Sequence, residues 1–72
     1  MTELDVVVLT RDAPAAGLRS GDLGTVVHCY PDGGCEVEFI TGGGDTVAVL
    51  TLESSDVRPL GENELLHARA VG

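Results

Sequence analysis

The stretch Leu18-Arg19-Ser20-Gly21-Asp22-Leu23-Gly24-Thr25-Val26-Val27 constrains this chain more than any other segment. It reads as a turn feeding a strand, in which two glycines bracket an Asp and a β-branched run follows. Gly21 and Gly24 fall where a backbone needs φ > 0 or must approach a neighbour closely, whereas Thr25-Val26-Val27 suits a pleated, half-buried surface. Such a turn is the opening corner of a small, strongly curved β-barrel. It dictates architecture and says little about chemistry.

Seventy-two residues make one domain, close to the lower limit of what a hydrophobic core holds together unaided. At 43% hydrophobic the chain is no disordered acidic tail, and with Tyr30 and Phe39 as its only aromatics the core must be aliphatic. No apolar run approaches the roughly 18 residues of a spanning helix, and the N-terminus lacks the basic-then-apolar layout of a signal peptide. The expectation is a cytoplasmic chain with no membrane partner.

Twelve acids stand against four bases, for a net charge of −8. The bases are Arg11, Arg19, Arg58 and Arg69, and lysine is absent. A protein that grips phosphates needs clustered Lys or Arg, each releasing counterions. Four scattered arginines supply no such patch, so nucleic acid is excluded as a partner. The acidity serves either solubility or a surface complementary to a basic protein partner.

Along the chain the pattern is all-β with a different tail. Residues 4–9 (Leu-Asp-Val-Val-Val-Leu) mix alternation with continuous apolar character, which points to burial on both sides. Residues 10–20 form a loop interrupted by Pro14 and Gly17. A second strand covers 24–30, the turn Pro31-Asp32-Gly33-Gly34 follows, and a third strand covers 35–40. The loose turn Gly42-Gly43-Gly44-Asp45 leads into a fourth strand over 46–52.

Polarity sets the register of the first hairpin. With Cys29 facing Cys35, Val27 faces Val37 and Thr25 faces Phe39, and a one-residue slip would break the segregation of apolar from polar side chains. Val27, Cys29, Cys35, Val37 and Phe39 then point into the core, joined by Val49 and Val57. Val26, His28, Tyr30, Glu36 and Glu38 form the outer face. In the segment 52–60, Ser54 or Ser55 caps a single helical turn, Val57 drops inward, and Arg58-Pro59-Leu60 opens a last strand. Pro59 cannot donate to a ladder, which puts that strand at an edge. A strand, a one-turn helix and a short terminal strand make the ordinary finish of an SH3-like barrel. Residues 61–72 form a tail, a short helix or disordered. Its acids come early and Arg69 late, in keeping with a helix dipole.

The signatures Gly21-Asp22-Leu23-Gly24-Thr25-Val26-Val27 and Ser55-Asp56-Val57-Arg58-Pro59-Leu60, with the strands at 4–9 and 35–39, resemble a family of small bacterial proteins known only as a domain of unknown function. The same signatures are similar to SH3-like and KOW-type barrels. The resemblance runs to Leu60 and leaves 61–72 outside. It implies an interaction role, because members are encoded beside other small proteins in a layout like a toxin with its antitoxin. It brings no catalytic residues.

Chemistry candidates are few. Cys29 and Cys35 lie across the hairpin and are expected as reduced, buried thiols. His28 and Cys29 are adjacent on a strand and point to opposite faces, so with Cys35 and distant His67 they make no shared metal site. His28 beside Glu36 and Glu38 is the best acid–base cluster, but it lies on an open face with no base-supported nucleophile. Gly42-Gly43-Gly44-Asp45 lacks the lysine and the helix of a phosphate loop. The sequence therefore predicts an all-β fold, a small SH3-like, partly open, five-stranded barrel with a one-turn helix before the last strand. The expected role is a non-enzymatic protein-binding module without cofactor or metal, antitoxin-like or accessory to a basic partner. The alternative is a self-associating homodimer. Tyr30, Glu36 and Glu38 are the candidate partner-binding residues, with Leu65 and Leu66 on the tail.

Overall fold

The apolar runs become strands, and the Gly- and Pro-bearing segments between them become turns. A computed structural model, which describes residues 1–71, contains β1 (Val6–Leu9), β2 (Leu23–Cys29), β3 (Cys35–Ile40), β4 (Thr46–Leu52) and β5 (Val57–Pro59). They form one antiparallel sheet in the order β4-β3-β2-β1-β5 that does not close on itself. The all-β, partly open, five-stranded architecture read from the sequence is the one present. Short 3-10 turns at Pro14–Ala16 and Ser54–Asp56 are the only helical pieces among the described residues, and none is long and apolar enough to cross a membrane.

The opening corner is built as its glycines dictate. Gly21 takes φ +96°, and the Asp22 carboxylate accepts from the Arg19 N–H at 2.9 Å to close the turn. Gly24 is buried against β3. A Cβ there would sit 2.6 Å from Val37 Cγ1 and 2.8 Å from Phe39 Cε1. Only a missing side chain lets β3 come so close.

Val7, Leu9, Leu18, Val26, Cys35, Val37, Phe39, Leu52 and Val57 form the core cluster. Val8 is buried as well, so β1 is covered on both sides as its mixed pattern implied. Two residues expected inside are not. Val27 is 41% exposed and Val49 50%, while Val26, expected outside, is fully buried. The cause is a bulge. Cys29 faces Cys35 as expected and His28 faces Glu36, but Val26 then faces Val37 and Thr25 faces Glu38. Val27 is the additional residue, and every side chain before it changes face. In β4 the register pairs Phe39 with Ala48, Glu38 with Val49 and Val37 with Leu50. Ala48, Leu50 and Leu52 therefore turn inward and Val49 outward beside Glu38.

The ends of elements differ from expectation for local reasons. β1 starts at Val6 because Leu4 adopts φ 70° in a turn where the Asp5 carboxylate accepts the Thr2 N–H at 2.9 Å. The turn at Ser54–Asp56 is capped by neither serine: Asp56 accepts the Glu53 N–H at 3.0 Å and Arg11 Nε at 2.8 Å. Pro59 lies on an edge strand that pairs β1 alone, as its lost donor requires. Beyond it, Glu64 accepts the Gly61 N–H at 2.6 Å and holds Arg58 through Nη1 at 2.6 Å and Nη2 at 2.7 Å. Residues 65–71 run on without the helix that their composition allows.

Candidate functional site

The hairpin turn fixes which side chains face out. Tyr30 N–H donates to the Gly34 carbonyl at 2.7 Å, and Asp32 accepts the Gly34 N–H at 3.1 Å, which anchors Cys29 opposite Cys35. Counting from that anchor places Glu36 and Glu38 on the outer side of β3, between β2 and β4.

Neutral hydroxyls orient both carboxylates. Tyr30 Oη donates to Glu36 Oε1 at 3.1 Å, and Thr51 Oγ1 donates to the same oxygen. Thr46 Oγ1 donates to Glu38 Oε2 at 2.9 Å. The hydrogen bond to Glu36 pushes the Tyr30 phenol above its ordinary pKa, and burial and the charges of Glu36 and Asp32 add to the effect. His28 meets Tyr30 edge to face, with ring centroids 4.7 Å apart. Although His28 pairs with Glu36 in the ladder, its close carboxylate is Glu3, with Oε1 3.8 Å from Nδ1. The imidazole is thus an exposed member of the rim. What this face can do is present oriented hydrogen-bond acceptors with full negative charge to incoming donors.

Three of the four arginines are engaged elsewhere. Arg11 holds Asp56, Arg58 holds Glu64 and Arg69 holds Asp22. The Asp22 clasp joins the tail to the opening corner, and sequence reasoning missed it, since nothing local links residues 47 positions apart. Arg58 and Gly61 keep the Glu64 carboxyl ionised down to about 2.

On the inner side of the same hairpin, the free thiols of Cys35 and Cys29 meet at 2.7 Å, with Cys35 buried and Cys29 half-buried. Hydrogen bonding to Cys35, then burial, raises the Cys29 pKa. Among the described residues no three His, Cys, Asp or Glu side chains converge as a metal cradle.

Of the residues singled out in the sequence, Tyr30, Glu36 and Glu38 come together on one face. Leu65 and Leu66 do not join them; they stand 93% and 73% exposed on the tail. No curated protein and no solved structure matches this chain. Residues 3–59, which span all five strands, match the family described as Domain of unknown function (DUF4926), and the chain belongs to that family.

Proposed function

We propose that this chain is a non-enzymatic protein-binding module, antitoxin-like or accessory, whose acidic outer face receives a basic partner protein. One observation carries the reading: Glu36 and Glu38 are oriented by hydroxyls, and neither carboxylate forms an ion pair among the described residues. Their charge is uncompensated and their oxygens are already positioned. A Lys or Arg of the partner then gains a charge-assisted bond without the cost of ordering its acceptor. Tyr30, 41% exposed at the rim, supplies an aromatic anchor. The open five-strand order with a 3-10 turn ahead of β5 supports the SH3-like description of the fold, and the bacterial, cytoplasmic setting belongs to the same proposal.

The test is charge removal with the acceptors kept. Glu36→Gln with Glu38→Gln preserves the hydroxyl bonds, so the melting temperature stays within about two degrees of the parent. Association with a partner captured from native cytoplasm slows, and it slows further for the double Lys reversal and as salt rises. A captured partner whose association ignores both substitutions and salt refutes the acidic face as the docking surface.

A homodimer is the second reading, favoured by the free edge of β4. Thr46–Leu52 has seven uncharged residues and pairs only β3, whereas the opposite edge, β5, is short and carries Pro59. A long uncharged edge invites strand addition, and proline blunts it. Light scattering distinguishes the two readings. A dimer that persists in high salt and is lost with Ala48→Pro supports edge pairing.

A further inference from the structure

The turn end of the β2–β3 hairpin sets two thiols against each other. Cys29 pairs with Cys35 in the ladder, and the Cys35 thiol donates to Cys29 Sγ at 2.7 Å. One step nearer the turn, the Tyr30 N–H donates to the Gly34 carbonyl at 2.7 Å. A bond at that position makes the adjoining Cys29–Cys35 rung one that exchanges no backbone hydrogen bonds. In such rungs the Cα atoms stand about 4.5 Å apart and the side chains meet most closely. The bulge lies between Val26 and His28 and leaves this rung's register intact. Both thiols are free, with Cys35 2% exposed and Cys29 half-buried.

We propose that Cys29 and Cys35 are a reversible redox site, converted to an intramolecular disulfide by exchange with a low-molecular-weight disulfide that enters at Cys29. Register carries the pairing. A disulfide needs Cα atoms about 4.4–6.8 Å apart with facing Cβ atoms, and a rung of this kind supplies both without backbone movement. Its Cα separation belongs to the short end of that range, which favours a bond that thiols can reopen over a permanent staple. Unequal exposure carries the order of events. Cys29 is the sulfur a reagent can reach, and Cys35 is held behind it as the resolving thiol. A transient bond of this sort is also the form that disulfides take where the surroundings keep thiols reduced.

The exchange runs in two steps. The Cys29 thiolate attacks one sulfur of the incoming disulfide, whose S–S bond breaks, and the departing thiolate takes up a proton equivalent to the one Cys29 gave up. Cys35 then loses its proton and attacks Cys29 Sγ, forming the Cys29–Cys35 bond and expelling the second small thiol. Two protein thiols lose two electrons, and one small disulfide is reduced to two thiols. The raised pKa of Cys29 lowers its thiolate fraction, which slows the first attack without preventing it. The product cross-links the two strands directly before Tyr30 and Glu36, the residues that follow the cysteines in sequence. It also withdraws the thiol donor that Cys29 offers the Met1 carbonyl at 3.5 Å. The site lies on the inner side of the hairpin, so it goes beyond the reading given above and does not depend on what the outer face binds.

The test incubates the native full chain with glutathione at defined ratios of oxidised to reduced form, quenches with acid, alkylates the remaining thiols and reads intact masses. In excess oxidised glutathione the expected parent chain loses both alkylation sites together, weighs two hydrogens less and stays monomeric. Excess reduced glutathione restores both thiols. Cys35→Ala, lacking the resolving thiol, accumulates the mixed disulfide at Cys29, and Cys29→Ala forms one at Cys35 at least tenfold more slowly. Cys35→Ser replaces the alanine variant if that one fails to fold, and the parent chain decides the pairing without either. Amide exchange at Tyr30 slows at least tenfold in the oxidised chain, because the cross-link restrains the opening that frees its N–H. A parent that keeps both thiols in excess oxidised glutathione overturns the proposal, as does one that stops at the mixed disulfide or links two copies. A bond that reduced glutathione cannot reopen overturns its reversibility, and equal reaction of the two single variants overturns entry at Cys29.

Discussion

Gly24→Ala tests the central steric argument of the fold. The added methyl would lie 2.6 Å from Val37 Cγ1, 2.8 Å from Phe39 Cε1 and 3.1 Å from Phe39 Cδ1. Carbon atoms pack comfortably at about 3.5–4.0 Å, so β2 and β3 must part locally by close to 1 Å or both side chains must leave their rotamers. Neither has room, as Val37 is 0% and Phe39 2% exposed. Overpacking of this kind costs about 1–3 kcal/mol, and the smaller unfolded-state entropy of alanine returns about 0.5–1 kcal/mol. A 2.6 Å contact falls at the costly end of that range, about 2–3 kcal/mol, so the net loss is about 1–2.5 kcal/mol and lowers Tm by roughly 4–20 °C in a domain this small. Gly21→Ala is the companion measurement, because no atom lies within 4 Å of its built Cβ and only the φ of +96° opposes it. Val37→Ala removes the nearest clash, so Gly24→Ala costs at least about 0.5 kcal/mol less in that background, while Gly21→Ala is unaffected. Thermal melts of the singles and doubles decide the matter. A Gly24→Ala chain that melts within two degrees or so of the parent, or one that Val37→Ala fails to relieve, refutes the close approach.

The bulge predicts that Val26→Ala costs about 1.5–3 kcal/mol while Val27→Ala costs under about 1 kcal/mol; equal losses in denaturant titrations would put β2 in an unbroken register. Tyr30 is the only tyrosine and tryptophan is absent, so ultraviolet phenolate absorbance reports it directly. Its midpoint lies above the ordinary phenol value and falls on Glu36→Ala, which removes the acceptor and its charge together; an unmoved midpoint would refute the hydrogen bond between them. Asp22, Asp56 and Glu64 all titrate below their ordinary values because arginine hydrogen bonds favour the carboxylate. A depressed folded pKa contributes stability that is complete above the unfolded value and lost as pH falls through the folded one. Melting temperature should therefore be flat from neutrality to about 4.5 and decline towards about 2, the Glu64 window, with the decline reduced in Arg58→Ala.

Most of the fold was legible because its punctuation is chemical. Pro31 to Gly34 and the three glycines from Gly42 leave little choice about where strands end, and the turn at Tyr30 and Gly34 sets the Cys29–Cys35 pairing from which the outer face follows. The inward phase of β4 was hidden for a different reason. In Val47-Ala48-Val49-Leu50 both phases are apolar, so alternation cannot choose between them, and preference for β-branched residues favours the wrong one. The bulge at Val27 was concealed in the same way, since Val26 and Val27 are interchangeable in any pattern of polarity. The candidate face survived these errors because it was counted from the turn rather than from the middle of a strand. The clasp of Arg69 on Asp22 had no sequence signal at all: a pairing across 47 residues leaves no local periodicity.

A core of valines and leucines with one Phe reaches few of the loops, and three of the four arginines do the tying that the core cannot. Arg11 fastens the loop after β1 to the turn before β5, across 45 residues, Arg58 fixes the turn at Gly61, and Arg69 secures the tail. Each uses one acid that the fold itself places in reach. Because acids outnumber bases threefold, what matters functionally is where the surplus lies and whether it is organised. Acids kept for solubility alone need only point at water, and hydration orients them no further. Glu36 and Glu38 instead stand two residues apart on one strand, about 7 Å from each other along it, each restrained by a hydroxyl from a neighbouring strand. Orientation costs side-chain entropy, which solubility does not repay, but a ligand that meets two fixed acceptors recovers it as affinity.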